Sequence, residues 1–347
     1  MNYIFDTVFK LTSPLHISAP GEWYIGPSDR FPTTQQGNGR FPVTRTQHMP
    51  LAIPGNDGPR RIMIPQIPAN TIRGDIRRKM GNQILDRLAK KGTPADLGLF
   101  HVLTCGARAA VPGNREEVAP FVEAAVDPYF GTCGGGPRWF PSRLVIGTAM
   151  VISQETLEAD IVPDRYASLT SNLQTGTTFF RRVDDAFSMS DPNILSRVEN
   201  FQESMTEWQA AIGSAKKAKA AGEEGAKKES LTGFNAMEFV SPGTHLYARL
   251  ELEADACGPA GLGAFATSLA QMATTQRIGG WSRNGFGRFV TSIQFGRSRS
   301  EMRPLLIKNG DEYSVSTSGD SELADAVAAW QDYLANIDRD TLVTLAS

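Results

Sequence analysis

Hydrophobic residues at the start of the chain alternate with polar ones. The residues that share one face of an extended segment are Tyr3, Phe5, Thr7, Phe9 and Leu11. A period of two residues is typical of a strand, and Pro14 lacks the N–H that a continuing strand needs. The pattern predicts that the segment from Tyr3 to Ile17 forms a strand, and Pro14 ends its alternating run.

A helical pattern begins after Pro68. Hydrophobic residues recur at every fourth position, at Ile72, Ile76, Met80, Ile84 and Leu88. Asn70 is predicted to be the N-cap and Gly92 to end the helix. The regular spacing indicates an amphipathic helix that buries one stripe against the rest of the fold.

The remaining regular pattern predicts three strands and two helices. The strands are expected at 143–152, 245–254 and 288–295, and the helices at 262–274 and through Leu323, Val327, Trp330, Leu334 and Ile337. The order strand, helix, strands, helix, strand favours an α+β fold with a ferredoxin-like core.

Two long segments interrupt this pattern. Residues 18–63 contain seven prolines, and two Arg-Phe-Pro copies flank Gly37-Asn38-Gly39, which predicts a functional or disordered loop with a hairpin at its centre. After Asp191-Pro192, an amphipathic helix is expected to run to Ile212, and the Ala-, Lys-, Gly- and Glu-rich residues 215–230 are expected to form a mobile tip. The predicted parts are 1–152, with the 18–63 insertion, 153–240 as a helical insertion, and 241–347.

Composition narrows the class of protein. The chain has 347 residues, of which 41% are hydrophobic and 21% charged, so it is expected to fold into a soluble protein with a real core. The N-terminus lacks the features of a signal peptide, and no apolar stretch is long enough to span a bilayer. We expect a cytoplasmic protein with no membrane partner.

Charge is unevenly distributed although the net charge is only −2. The segment from Arg60 to Lys91 contains nine basic and two acidic residues, and the segment from Thr275 to Arg303 contains six arginines and one acidic residue, Glu301. The segment from Asn309 to Ser347 contains eight acidic residues and one basic residue, Arg339. The net charge excludes a nucleic-acid-binding protein whose whole surface is basic, but a local basic surface remains possible. The acidic end is either a solvated helix or a surface that docks on the basic face of another copy.

Thiol and imidazole groups show no pattern of a metal site. The three cysteines have no Cys-x-x-Cys spacing, so reduced, buried thiols are expected. The scattered histidines, which are expected to serve packing and hydrogen bonding, are His16, His48, His101 and His245. No metal site and no cofactor are predicted.

The segment 279–288 combines glycines, arginines and aromatic residues between a predicted helix and a predicted strand. Glycine allows close approach to a phosphate chain, arginine neutralises it, and an aromatic ring stacks on an unpaired base. The candidate RNA-binding residues here are Trp281, Arg283, Asn284, Phe286 and Arg288. Phe286 stands where a Walker A loop requires lysine, so nucleoside triphosphates are not expected. The alternative is a tight turn with solvent-facing arginines.

The first predicted helix supplies the other candidates. A helix N-terminus binds anions, and the charge excess lies on the same element. The candidates are Asn70, Thr71, Arg73, Arg77 and Arg78. The alternative is a solvated basic face.

Signals for catalysis are few. Asp29 and the pair Asp184-Asp185 offer carboxylates that could support metal-assisted cleavage of a phosphodiester. Turn capping or pairing with Arg30, Arg181 or Arg182 is the favoured interpretation, so the chain is not predicted to be an enzyme.

Three segments resemble the repeat-associated mysterious protein (RAMP) superfamily, and within it the backbone subunit of CRISPR effector complexes. Residues 11–17 are similar to the family's first strand and turn, and 67–77 to its Pro-Gly-Ser-Ser-Leu-Lys-Gly-x-x-Arg helix start. Residues 279–288 resemble its Gly-Gly-x-x-x-x-Gly-x-Gly-Arg signature. The segment PQIPANTIRG looks most like the corresponding segment of type IV CRISPR systems.

The resemblance implies an RRM-like palm, a thumb formed by the insertion, and copies that stack into a filament along guide RNA. It places Arg73 at the family's lysine and Arg77 at its arginine, and it implies that these two residues, Arg283 and Arg288 hold phosphates. The expected thumb residues are Phe179, Phe180, Arg181 and Arg182, with a basic tip at 216–228. Implied partners are guide RNA, further copies, other effector subunits and a target nucleic acid.

The sequence also departs from the family. Residues 18–23 read Ser-Ala-Pro-Gly-Glu-Trp where the family has a glycine-rich turn, and Asp29 lacks the neighbours of the aspartate that cuts target RNA in type III relatives. Three hypotheses follow: a non-catalytic RNA-binding backbone subunit, a metal-dependent endoribonuclease that uses Asp29, and a protein-interaction module that docks through the helix around Trp208.

Overall fold

The computed structural model describes residues 2–26, 29, 32–36, 40–54, 58–106, 126–134, 142–173, 175–183, 200, 203, 206–207 and 232–346. For residues 181–183, 232–235 and 254–256 the description is of the backbone alone. The chain forms two compact units. The first comprises Met1–Pro20, Arg45–Gly176 and Glu238–Ser347, and the second comprises Gly21–Thr44 and Thr177–Met237.

Strands and helices alternate in groups along the chain. The described strands are β1 (Asn2–Leu11), β2 (Trp23–Ile25), β3 (Phe41–Thr44), β4 (His48–Ile53), β5 (Arg60–Ile67), β6 (Leu144–Ile146), β7 (Ala149–Val151), β8 (Thr175–Val183), β9 (Thr232–Val240), β10 (His245–Glu253), β11 (Phe289–Gly296), β12 (Arg303–Pro304), β13 (Leu306–Asn309) and β14 (Glu312–Val315). The described helices are α1 (Ala69–Lys90), α2 (Leu97–Cys105), α3 (Pro128–Cys133), α4 (Gln154–Glu158), α5 (Ala254–Thr275), α6 (Ser321–Asn336) and α7 (Arg339–Ala346), with 3₁₀ turns η1 (Asp164–Leu169) and η2 (Ser282–Asn284).

The first unit is built on an antiparallel sheet with the order β12-β11-β1-β10-β7-β5-β4, and β6 also pairs with β10. At its centre, β1 lies between β10 and β11. Because α1 connects β1 to β7 and α5 connects β10 to β11, the order β11-β1-β10-β7 is that of a ferredoxin-like βαββαβ core. The predicted α+β class is confirmed.

Aromatic residues form the centre of the core on the helical side of the sheet. Phe5 of β1 packs edge-on against Phe265 of α5, with ring centroids 4.8 Å apart, and Phe9 packs against Phe289 at 5.2 Å. The predicted stripe of α1 from Ile72 to Leu88 is fully buried in the same cluster. These apolar contacts hold α1 and α5 against the strands.

Four sequence-based boundaries are wrong, and one of them is the start of the helix predicted at 262–274, which begins at Ala254. The first strand ends at Leu11, because the N–H groups of Thr12 and Ser13 turn to the carbonyl of Arg288, at 2.9 and 3.3 Å. The helix α1 begins at Ala69 with Pro68 as N-cap, and no described side chain caps it, so Asn70 lies inside the first turn and is exposed. The predicted strand 143–152 is divided into β6 and β7 around Gly147.

The proline-rich segment 18–63 contains more regular structure than the sequence indicated. It holds β2, β3, β4 and the first residues of β5. Strand β3 pairs in antiparallel orientation with β2, which lies before the first Arg-Phe-Pro copy, and the tip of the predicted hairpin at 37–39 lies outside the described residues.

The second unit contains a sheet with the order β2-β3-β9-β8. Strand β3 pairs with β2 in antiparallel and with β9 in parallel orientation. Its buried hydrophobic cluster is Ile25, Val43 and Ala236, with Trp23 packed against it. The helix predicted from Asp191 to Ile212, apart from isolated positions, and the segment 215–230 lie outside the described residues.

Two of the three cysteines follow the prediction. All three are free; Cys133 and Cys257 are buried, whereas Cys105 is exposed at the end of α2. Burial raises the pKa of the Cys133 thiol to about 12, which keeps it protonated. Among the helices that the structure describes, none has the length and apolar character needed to cross a membrane.

Candidate nucleic-acid interface

Three chain segments meet at a groove in the first unit. They are the loop after β1, the N-terminal turns of α1, and the loop between α5 and β11. The groove has a volume of about 340 Å³ and is lined by Ile17, Ser18, Thr71, Asp75, Arg78, Arg277, Ile278, Gly279, Gly280 and Ser282. All three segments that resemble the RAMP superfamily therefore lie at one place.

Backbone hydrogen bonds hold the glycine-rich loop 279–288 against the loop after β1. The Gly280 N–H donates to His16 O at 3.0 Å, and the Gly287 N–H donates to Pro14 O at 2.7 Å. The Arg288 N–H donates to Ser13 Oγ at 2.8 Å. These three hydrogen bonds to the loop after β1 therefore fix the path of the glycine-rich loop.

Two glycines of this loop are required by close packing of the backbone, Gly279 against the loop after β1 and Gly287 against the residue that precedes the glycine-rich loop. Gly279 has φ +86°, and a Cβ there would lie 2.7 Å from His16 O. Gly287 has φ +74°, and its Cβ would lie 2.0 Å from Ile278 O. The tight-turn interpretation therefore explains these two glycines, whereas it does not explain the arginines between and beside them.

The arginines of the loop face solvent. Arg277 and Arg288 lie opposite each other in an antiparallel bridge, and both are exposed, as is Arg283. Like charges directly opposite on paired strands repel, so this arrangement is unfavourable without a counter-charge. Arg277 lies two residues before the loop and was not among the sequence-based candidates, although the same run of sequence contains it.

Helix α1 contributes a mixed face to the groove. Thr71, Asp75 and Arg78 are spaced four and three residues apart and so lie on one side of the helix. Arg78 Nη2 lies 3.5 Å from Asp75 Oδ1, and the arginine is about half exposed at 53%. Burial raises the pKa of the Asp75 carboxyl, and the positive charges of Lys79 and Arg78 oppose that shift.

Arg73 and Arg77 do not line the groove. Arg73 Nη2 donates to Leu144 O at 3.4 Å, while Arg77 Nη2 donates to Cys133 O at 2.8 Å and to Gly134 O at 3.3 Å. Both point to the side of α1 that packs on the fold, because they are about half a turn from Thr71 and Asp75. The structure brings Arg78 to the loop arginines and leaves these two in contacts with backbone carbonyls.

The aromatic residues of the loop differ in exposure. Trp281 is 42% exposed and has a left-handed backbone, with φ 60°, which is uncommon for a bulky residue. Its carbonyl accepts from the Asn284 N–H at 2.9 Å, and Asn284 itself is exposed. Phe286 packs edge-on against Phe239, with centroids 6.2 Å apart. Trp281 therefore presents a ring to solvent, whereas Phe286 contributes to the support of the loop.

A buried polar cluster lies beneath the loop after β1. His16 is fully buried, with Nδ1 2.7 Å from Glu238 O and Nε2 3.1 Å from Ser18 Oγ. The Glu238 carboxylate accepts from the Thr46 N–H at 3.1 Å and from the Thr175 hydroxyl at 3.0 Å. Since the carbonyl only accepts, His16 Nδ1 carries the proton and Nε2 accepts from Ser18. No periodic pattern in the sequence marked Glu238 as a partner of this loop.

The remaining candidates lie elsewhere. Asp29, in the second unit, accepts at Oδ2 from the Gly26 N–H at 2.8 Å and from Arg40 Nε at 3.0 Å, and the Gly26 bond is the main cause of its lowered pKa. Phe179 in β8 is 46% exposed and Phe180 is partly buried. The side chains of Arg181 and Arg182, and the pair Asp184-Asp185, lie outside the described residues. Within the described part of the chain, no three His, Cys, Asp or Glu residues are grouped as a metal site.

Comparison with solved structures finds structural likeness. No family model matches the sequence, and no curated protein matches it. The chain is similar to a chain of a solved structure titled "Type IV-B CRISPR Complex", with 15% sequence identity over 92% of this chain and 100% of that chain and a TM-score of 0.45. These values are too low to establish a common fold or a common function.

Proposed function

We propose that this protein is a non-catalytic RNA-binding subunit of a CRISPR ribonucleoprotein complex in the cytoplasm, and that copies of it line a guide RNA as a filament backbone. The observation that carries the proposal is the meeting of the three RAMP-like segments at one groove beside exposed arginines. A ferredoxin-like core with a basic loop at its edge is a suitable support for a single strand.

The groove is suited to the sugar-phosphate backbone. Arg78 and Arg277 line it, and Arg283 and Arg288 extend the positive charge along the loop. Such contacts bind phosphates without reading sequence, so recognition of a target is left to base pairing with the guide. Trp281, which is 42% exposed, is the aromatic residue of the loop that would stack on a base under this proposal.

Assembly into a filament is supported by the distribution of charge. Exposed acidic residues of α6 and α7 include Asp325, Asp332 and Asp340, whereas exposed arginines occupy the glycine-rich loop. Complementary surfaces at different places on one subunit favour head-to-tail contacts between copies. Other subunits of the complex and the target nucleic acid are further partners under this proposal.

The proposal assigns no catalytic role to Asp29. Its Oδ2 already accepts two hydrogen bonds, one of them from Arg40, so this carboxylate serves the loop that carries it. Guide-paired RNA is expected to stay intact in the presence of Mg²⁺. Magnesium-dependent cleavage that is lost in Asp29→Ala would instead support an endoribonuclease.

Charge reversal at the loop tests the proposed site. The double variant Arg277→Glu and Arg283→Glu is expected to weaken binding of a labelled single-stranded RNA by about a hundredfold at low salt, because two phosphate contacts become repulsive. Binding is measured by fluorescence anisotropy at several salt concentrations, and the variant should show a smaller slope of log affinity against log salt.

The matched control reverses two exposed cations elsewhere in the same unit. Lys308→Glu with Arg339→Glu changes the net charge by the same amount on β13 and α7. It should weaken binding only slightly, through long-range repulsion. Equal losses in both double variants would show that net charge, not the groove, determines binding and would overturn the assignment of the site.

A further inference from the structure

One acidic side chain lies among the phosphate-binding groups of the groove. Asp75 lines it together with Arg78 and Arg277, and its side chain is 13% exposed. A carboxylate at this place repels a phosphate and offsets part of the attraction of the two arginines. Its position is therefore unfavourable for the binding of phosphate alone.

The hydrogen bonds of Asp75 are incomplete. Oδ1 lies 3.5 Å from Arg78 Nη2, which is a long contact, and Oδ2 is buried without a hydrogen-bond partner among the described residues. Burial is also the main cause of the raised pKa of this carboxyl. A carboxylate with incomplete hydrogen bonds keeps acceptor capacity for a donor that binds in the groove.

Among the side chains that line the groove, Asp75 is the one charged acceptor, whereas the hydroxyls of Thr71 and Ser282 are neutral acceptors. The arginines only donate, His16 O already accepts from the Gly280 N–H, and the Ser18 hydroxyl lies at His16 Nε2. Oδ1 has only the long contact with Arg78, so it keeps lone pairs for a donor in the groove. The groove thus combines donors for phosphate with one charged acceptor for a hydroxyl.

We infer that Asp75 accepts a hydrogen bond from a ribose 2′-hydroxyl of the bound strand and makes the groove selective for RNA over DNA. This inference rests on the proposed function, since it assigns a sugar contact to the same groove. RNA carries a 2′-hydroxyl that is both donor and acceptor, and DNA carries none at that position. A bound DNA strand leaves the Asp75 carboxylate without a partner and facing the phosphates.

The test compares three single-stranded probes of one sequence: RNA, DNA and 2′-O-methyl RNA. The methylated probe keeps an RNA-like backbone but has no hydroxyl to donate, so it separates the hydrogen bond from the shape of the sugar. Wild-type protein is expected to bind RNA about tenfold more tightly than the other two, which is typical of a hydrogen bond to a charged group. Asp75→Ala is expected to lose this preference, because RNA affinity falls while DNA affinity stays or rises.

The matched control is Asp86→Ala, which removes an exposed carboxylate from the same helix away from the groove. It changes the net charge equally and should shift the affinities for all three probes by one small factor. Circular dichroism confirms that both variants keep their helices. If Asp75→Ala also changes RNA and DNA affinity by one factor, the inference is wrong.

Failure of the inference and failure of the proposed function give different results. Wild-type protein that binds neither RNA nor DNA overturns the proposed function. Wild-type protein that binds RNA and DNA equally, with Asp75→Ala unchanged, overturns the sugar contact and leaves the RNA-binding groove in place.

Discussion

Arginine residues on and near α1 lie in two distinct environments, which depend on where the guanidinium points. Arg73 and Arg77 donate to carbonyls of Leu144 and Cys133, so they connect α1 to neighbouring segments. Arg78 lines the groove together with Arg277, which lies just before the glycine-rich loop. A count of charges along α1 predicts a basic helix, but only the angular position of each residue separates the support of the fold from the binding of a ligand.

His16 is buried next to the groove, where its carbonyl holds Gly280, and it makes the stability of the protein sensitive to pH. Burial lowers the pKa of His16 below 6.5. The unfolded chain then binds a proton at this residue more readily than the folded protein, so the free energy of unfolding falls as pH drops through about 6.5. Urea denaturation at about pH 7.5 and about pH 5.5 should show this loss, and His16→Gln should reduce it.

His101→Gln is the control for this measurement, because His101 is exposed on α2. It should leave the pH dependence of stability as it is in the wild type. His48 and His245 also have lowered pKa values through burial, so part of the dependence persists in His16→Gln. An unchanged pH dependence in His16→Gln would show that His16 is not a source of it.

Among the elements, those with a strong period could be predicted and those held by distant partners could not. The stripe of α1 from Ile72 to Leu88 and the alternation in β10 correspond to buried faces, because each follows from local spacing. Strands β2 and β3 are only three and four residues long, and β3 also pairs with β9, almost two hundred residues later. Short strands that depend on distant pairing leave little local pattern.

The candidate site shows the same division. The glycine-rich loop and the start of α1 were recognisable from composition and motif, and the structure places both at one groove. Glu238, which holds Thr46 and Thr175, was not recognisable, since its partners are far away in sequence. Asp75 was also missed because a single acid among many basic residues does not change the character of a segment.

The loop 279–288 is an element whose path can be tested by adding a single methyl group. Gly287→Ala places a Cβ 2.0 Å from Ile278 O in a backbone with φ +74°. We expect a loss of about 3 kcal/mol or more in the free energy of unfolding, together with weaker RNA binding, because the loop must leave His16 and Pro14. Urea denaturation measures the first effect and fluorescence anisotropy the second.

Gly285→Ala is the matched control in the same loop. Gly285 has φ +85°, but no atom of the described residues lies within 4 Å of its added Cβ, so only the backbone strain of about 1–2 kcal/mol is expected. Equal losses in the two variants would contradict the account that the close backbone contact at Gly287 fixes the path of the loop.

At the scale of the whole molecule, opposite charges are separated along one chain with a net charge of −2. The exposed arginines of the glycine-rich loop and the exposed acids of α6 and α7 lie on different elements of the first unit. A low net charge with basic and acidic surfaces on different elements favours ordered contacts between copies. An RNA strand that bound several copies would hold them at a high effective concentration. RNA binding and assembly are therefore expected to depend on each other.

The most direct test of the central claim is the size and nucleic-acid content of the purified protein, measured before and after RNase treatment. We predict that RNA co-purifies in large particles, with a high ratio of absorbance at 260 to 280 nm, and that RNase reduces both. Arg277→Glu with Arg283→Glu should give small particles without RNA, whereas Lys308→Glu with Arg339→Glu should resemble the wild type. A monomer free of nucleic acid that also fails to bind added RNA would contradict the account.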